Sequence, residues 1–126
     1  MKLNRVLIVY KKSAYQVYFL DAKSPFSQKQ ELLRASVRRR FKSAHREHYK
    51  TLAKVESVLS SKKIPYNKIC RGNKINTAGI DLIITVGGDG TFLKAASAVK
   101  DQLILGVNSD PAHSVGRLCF ANTDSF

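Results

Sequence analysis

The sequence has 126 residues, 44% of them hydrophobic, with 22 Lys and Arg against 9 Asp and Glu for a formal net charge of +13. That size and composition give about one domain with a packed core and exclude a disordered tail. No apolar run approaches the roughly 18 residues of a membrane span, and the start, Met1-Lys-Leu-Asn-Arg-Val-Leu-Ile-Val9, has no signal-peptide pattern, so the expected location is cytoplasmic.

The charge is uneven. Residues 1–75 carry 19 Lys and Arg against 4 acids, a net of +15, while residues 76–126 carry 3 against 5, a net of −2. Such asymmetry raises nucleic acid or another polyanion as a partner, or marks a balancing acidic region outside this chain. Cys70 and Cys119 form no C-x-x-C pair and have no His at metal spacing, so they read as two buried free thiols.

Val6-Leu-Ile-Val9 is a short continuous apolar run, suited to a central strand covered on both faces. Residues 14–20 are apolar and aromatic and fit a helical turn or a second strand, with helix the favoured reading, and Ser24-Pro25 marks a loop. Residues 27–60 give one long helical signal. Val37, Phe41, Ala44, His48, Leu52, Val55 and Leu59 follow one another at spacings of three or four and predict one buried stripe. Arg34, Arg38, Lys42, Arg46, Lys50 and Lys54 recur every fourth residue as a basic ridge beside it, either a solvated helix face or a nucleic-acid or polyphosphate contact. No aromatic residues interleave with them, so a base-stacking surface is not supported. His45 and His48 lack an acidic or Cys partner at matching positions, and no metal site is expected there.

Pro65 stops the helix, because the residue before a proline is disfavoured in helical conformation. Residues 66–70 predict a short strand and residues 71–79 a polar loop. The stretch Asp81-Leu-Ile-Ile-Thr-Val-Gly87-Gly88-Asp89-Gly90-Thr91-Phe-Leu-Lys94-Ala-Ala then organises the rest. It reads as strand 82–86, glycine turn and helix 91–99, followed by strand 103–107, a compact βαβ unit with parallel strands. Asn108-Ser-Asp110-Pro111 is a second polar turn, expected beside the first as the other wall of one crevice. Residues 116–120 look like the start of a further strand.

In an open α/β sheet, ligands sit outside the strands' carboxyl ends, where a helix's first N–H groups are unpaired. Gly87, Gly88 and Gly90 remove side chains there, so a phosphate or ribose can approach the backbone. Asp89, the only carboxylate in the turn, has two readings. It caps the following helix, or it accepts a proton from a substrate hydroxyl during attack on a phosphate. Negative charge is favoured at a helix N-terminus and suits phosphoryl transfer, where positioning and charge neutralisation do most of the work. The turn is neither a Walker A loop nor a G-x-G-x-x-G fingerprint. Thr91 reads as a capping residue. Lys94 either reaches back to a phosphate or stays in solvent, and Asn108 either binds a ribose or stabilises its own turn.

Gly87-Gly-Asp-Gly-Thr-Phe-Leu-Lys-Ala-Ala96 with Ile104-Leu-Gly-Val-Asn108 closely resembles the signature of the NAD kinases, which phosphorylate the ribose 2′-hydroxyl of NAD to make NADP. Asn108-Ser-Asp-Pro-Ala-His-Ser-Val-Gly-Arg-Leu-Cys119 looks like the mitochondrial-type branch; most of the family has a compact Asn-Leu-Gly-Arg-Leu-Gly-Phe there. The similarity runs from about His45 to Phe120, and residues 11–44 carry no pattern of the family. Lipid kinases share the Gly-Gly-Asp-Gly-Thr core but usually continue with Asn-Glu, where this chain has Phe92-Leu93-Lys94.

The resemblance implies a parallel-sheet, Rossmann-like α/β N-terminal domain over residues 1–126, with Asp89 as proton acceptor. Gly87, Gly88, Gly90, Thr91, Lys94 and Asn108 are the substrate-binding candidates. It also implies NAD as substrate, ATP or polyphosphate as phosphoryl donor, a divalent cation with magnesium expected, and assembly into dimers or tetramers. The family's Asn-Glu motif, second glycine-rich segment and C-terminal β-sandwich domain are absent from this sequence, so the 126 residues are expected to be inactive alone. The alternatives are a lipid or sugar kinase with the same glycine core and a non-catalytic nucleotide- or nucleic-acid-binding module.

Overall fold

The computed structural model describes residues 3–17, 35–112, 116–122 and 124–126. Among them five strands form one parallel sheet: β1 (Val6–Tyr10), β2 (Tyr66–Cys70), β3 (Leu82–Gly87), β4 (Leu103–Asn108) and β5 (Ala121–Asn122), in the order β2-β1-β3-β4-β5. Helix α1 (Ala35–Ser61) lies between β1 and β2, and α2 (Asp89–Ala96) between β3 and β4. This is the α/β fold expected from the sequence.

Strand side chains alternate between two cores because successive residues point to opposite faces. Val6, Ile8, Ile84, Val86 and Val107 pack on Leu52, Val55 and Leu59 of α1. Leu7, Val9 and Ile83 pack on the other face with Ala95 of α2. The predicted α1 stripe is buried from His48 to Leu59, while Val37, Phe41 and Ala44 are half-buried. The ridge residues Arg38, Lys42, Arg46 and Lys50 are exposed, as a solvated face requires; Arg34 and the rest of 27–34 lie outside the described residues. At the amino edge of the sheet, Asp81 Oδ2 accepts the N–H groups of Asn4 (2.8 Å) and Arg5 (3.0 Å), fixing the start of β1 against β3.

Several boundaries differ from the sequence reading. The second helix begins at Asp89, not Thr91, and ends at Ala96. Its N-cap is Gly88 in extended conformation with no side-chain cap bond, so Thr91 does not cap it. Residues 116–120 form a turn leading to the short β5 rather than a strand. Gly116 has φ +59°, and the N–H groups of Arg117 and Leu118 go to a side chain, which leaves them unable to join a ladder. Residues 14–17 are helical, as expected, and residues 18–20 lie outside the described residues. Both cysteines are free but only partly buried.

β3 is the middle strand, and Ile84 on it is 1% exposed, so truncating it opens a cavity that neighbours on α1 cannot easily fill. Ile84→Ala is expected to lower unfolding free energy by about 2–5 kcal/mol in urea titrations. Leu103→Ala, at a half-exposed edge position, is expected to cost a small fraction of that.

Candidate functional site

The strand order reverses between β1 and β3: the chain goes from β1 outward to β2, then returns to β3 and continues to β4. The crevice of such a sheet opens over the carboxyl ends at this reversal. Four segments meet there: Lys11 after β1, Arg71 after β2, the glycine turn after β3, and the turn at Asn108 and Ser109 after β4. The two polar turns adjoin as expected, with Gly87 paired to Asn108 and the Ser109 N–H donating to the Gly87 carbonyl at 3.1 Å.

The glycines have different reasons to be glycine. A Cβ at Gly87 would lie 2.5 Å from Thr91 Oγ1 and 3.4 Å from Lys11 Cγ, so Gly87 is buried beneath those side chains. Thr91, fully buried, folds its hydroxyl back over Gly87 and accepts a bond from Arg71 Nη1 at 3.3 Å. Gly90 is exposed, and a Cβ there would meet only Arg71 Nη1, at 3.1 Å. Gly88 is the extended residue that lets α2 start.

Asp89 does something neither sequence reading anticipated. Its Oδ2 accepts the Arg117 N–H at 3.1 Å and its Oδ1 the Leu118 N–H at 2.9 Å. The carboxylate thus anchors the segment entering β5, and each oxygen keeps a lone pair for a further donor. Asn108 is buried; its Oδ1 accepts the Asp110 N–H at 3.0 Å, the turn-stabilising reading, and its amide faces Gly116. Lys94 is exposed in the last turn of α2.

His48 bolts the crevice shut on the α1 side. Its Nε2 lies 2.6 Å from the Lys11 carbonyl and its Nδ1 2.7 Å from Ser109 Oγ. A carbonyl only accepts, so Nε2 carries the proton and the Ser109 hydroxyl donates to Nδ1. The ring is 1% exposed, and that burial pushes its pKa down to about 4, against the raising effect of the Lys11 carbonyl. His45 is engaged separately, with Ser13 Oγ at 2.6 Å from its Nδ1, so the two histidines do not converge. Beside this bolt, a cavity of about 350 Å³ is lined by Lys11, Arg40, Phe41, Ala44 and Asp110.

Among the described residues no group of three or more His, Cys, Asp or Glu is placed to hold a metal ion. Asp89 is a single carboxylate, so these residues do not by themselves make a divalent-cation site. Lys11, Arg71 and the amides of Arg117 and Leu118 are additions to the sequence-derived site. The signal for the first two was positional, since each directly follows a strand's carboxyl end.

Residues 7–124 match the family profile of the ATP-NAD kinase N-terminal domain. The chain belongs to that family. The match reaches well before His45, into the part of the sequence that carried no recognisable pattern. An NADH kinase of Arabidopsis thaliana is 34% identical over 96 residues, covering 63% of this chain and 30% of the relative. "NAD kinase 2, mitochondrial" of Homo sapiens is 56% identical over 41 residues, covering 31% of this chain and 9% of the relative. The Xenopus tropicalis protein of the same name is also 56% identical over 41 residues, 31% of this chain and 10% of the relative. The chain therefore spans less than a third of the length of these relatives. The cytoplasmic expectation is overturned, because these vertebrate relatives are named as mitochondrial. An import signal is a separate segment and no property of the fold, so the domain's own residues were a poor guide.

Two outcomes follow from the geometry. Gly87→Ala must displace buried Thr91 and is expected to destabilise by about 1–3 kcal/mol, whereas Gly90→Ala, meeting only a guanidinium tip, leaves urea midpoints nearly unchanged. His48 has a folded-state pKa below its ordinary 6.5, so the unfolded state takes up the proton first. Stability is full above pH 6.5, declines by roughly 3 kcal/mol as pH falls to about 4, and levels off below. His48→Gln is expected to flatten this segment of the stability–pH curve.

Proposed function

We propose that this chain is the nucleotide-binding α/β part of an NAD kinase that transfers a phosphoryl group to the 2′-hydroxyl of the adenosine ribose of NAD. The observation that carries the reading is Asp89, a carboxylate held at the carboxyl end of the central strand in a family whose members include named NAD kinases. A hydroxyl seated against an Asp89 oxygen hands its proton to the carboxylate while its own oxygen forms a bond to the terminal phosphorus of the donor. The bond from that phosphorus to the donor's bridging oxygen breaks, and the leaving oxygen carries away the electron pair. The two N–H bonds from Arg117 and Leu118 support this role by fixing where the carboxylate points.

ATP is the proposed donor, with polyphosphate the alternative, and a divalent cation would accompany the donor's phosphates; the resemblance supports these, as it does assembly into dimers or tetramers. Because the relatives are several times longer than the aligned stretch, a further region of the full-length protein is proposed to complete the active site, the C-terminal β-sandwich implied by the resemblance. A mitochondrial location is proposed from the names of the vertebrate relatives. The name NADH kinase on the plant relative makes the reduced dinucleotide a second acceptor to test.

One other reading has a specific observation behind it: the exposed row Arg38, Lys42, Arg46 and Lys50 suits a polyanion-binding module. The experiment is NADP(H) production from NAD and NADH by the full-length protein, with a lipid acceptor in parallel, for the native sequence and Asp89→Asn. Asparagine keeps the size and one acceptor oxygen but not the base, so a loss of about 10²–10⁴-fold in kcat is expected, together with a small drop in melting temperature from the one N–H of Arg117 or Leu118 that loses its acceptor. Equal rates in native and variant protein would remove Asp89 from the chemistry. Tight RNA or DNA binding at physiological salt with no kinase activity would favour the module instead.

A further inference from the structure

We propose that Lys11 and Arg71 form a clamp over the glycine turn that grips the polyphosphate chain of the donor. The word donor rests on the reading above; the clamp itself rests on where the two cations lie. Lys11 follows β1, its stem passing 3.4 Å from where a Cβ at Gly87 would be, beside Thr91. Arg71 follows β2 and lies on the α2 side, with Nη1 3.1 Å from where a Cβ at Gly90 would be. The two side chains thus meet one turn at two of its glycines, Lys11 at Gly87 and Arg71 at Gly90.

Both are held from behind. The Lys11 carbonyl receives the buried His48 N–H at 2.6 Å. The Arg71 N–H donates to the Tyr10 carbonyl at 2.6 Å, and Asn73 turns the chain back by donating twice to the Cys70 carbonyl, placing Arg71 at the corner. Gly72, with φ +103°, supplies the left-handed residue this corner needs. Neither cation pairs with a carboxylate among the described residues, and Arg71 spends one of its five N–H donors on a long 3.3 Å bond to Thr91.

A negatively charged phosphate chain is repelled by Asp89 and needs cations close by to lie beside it. A guanidinium matches two phosphate oxygens at once, while an ammonium supplies a mobile point charge. The clamp therefore places the donor along the turn and leaves the Asp89 oxygens to the acceptor hydroxyl.

The test is calorimetric binding of inorganic triphosphate, ATP and NAD to the full-length protein carrying Arg71→Gln, Lys11→Gln or both, with Arg46→Gln on the exposed α1 ridge as a charge control. Each single variant is expected to weaken triphosphate and ATP about tenfold and the double about a hundredfold, with NAD affinity within about twofold and Arg46→Gln unchanged. Unaltered triphosphate binding in Arg71→Gln overturns the clamp, and so does an equal loss in Arg46→Gln, which would mean general electrostatics. A loss confined to NAD also overturns it, since the cations would then hold the acceptor's pyrophosphate. Arg71 is exposed, so its variant carries the test if Lys11→Gln fails to fold. Triphosphate binding that depends on both cations, in a protein that phosphorylates neither NAD nor NADH, leaves the clamp standing and removes the kinase reading. Kinase activity with donor affinity indifferent to both substitutions does the reverse.

Discussion

A parallel sheet whose strand order reverses between two neighbours cannot close over their carboxyl ends. Crossovers between parallel strands are right-handed almost without exception, so a chain moving outward from β1 to β2 and then the other way from β3 to β4 sends its helices to opposite faces. The two separate cores, one under α1 and one under α2, record that divergence. The gap it leaves is where the polar segments of this chain collect, because there alone a backbone leaving a buried strand meets solvent without a helix on top. Asp81 holds the opposite edge of β1 and β3 together, so the divergence is confined to the carboxyl end.

Within that gap the glycine turn divides its labour more finely than a motif suggests. Gly87 is small so that Thr91 and Lys11 can close over it, a packing demand, whereas Gly90 is open and shares its surroundings only with a guanidinium. The buried imidazole of His48 joins the segment after β1 to the segment after β4 while β3 runs between them, so the outer walls are tied to each other across the turn. A neutral ring suits this role because it donates once and accepts once without carrying charge into a dry site. Positive charge is kept instead on Lys11 and Arg71, where it faces the opening.

Strands such as residues 82–86 and 103–107 were legible because continuous apolar runs end in glycine or polar turn residues, and the α1 stripe was legible because its period is helical over seven positions. The start of α2 was not, since Asp89 and Gly90 are weak helix formers whose helical state is imposed by the strand before them. The strand expected at 116–120 failed for a related reason: its amides are claimed by Asp89, 28 residues earlier for Arg117, a pairing no local pattern announces. Lys11 and Arg71 escaped notice because what makes them neighbours of the turn is the order of strands in the sheet, which sequence spacing does not encode. His48 left a faint trace as the one polar member of an otherwise apolar stripe.

The two hydrogen bonds that Asp89 accepts from the amides before β5 make this side chain a mechanical part of the fold. β5 is only two residues long and joins β4 at Val107 and Asn108, so little else fixes its lead-in. Only a few residues of backbone separate those amides from the margin of the sheet. The centre of this domain is thereby joined to its rim by two hydrogen bonds and one short strand.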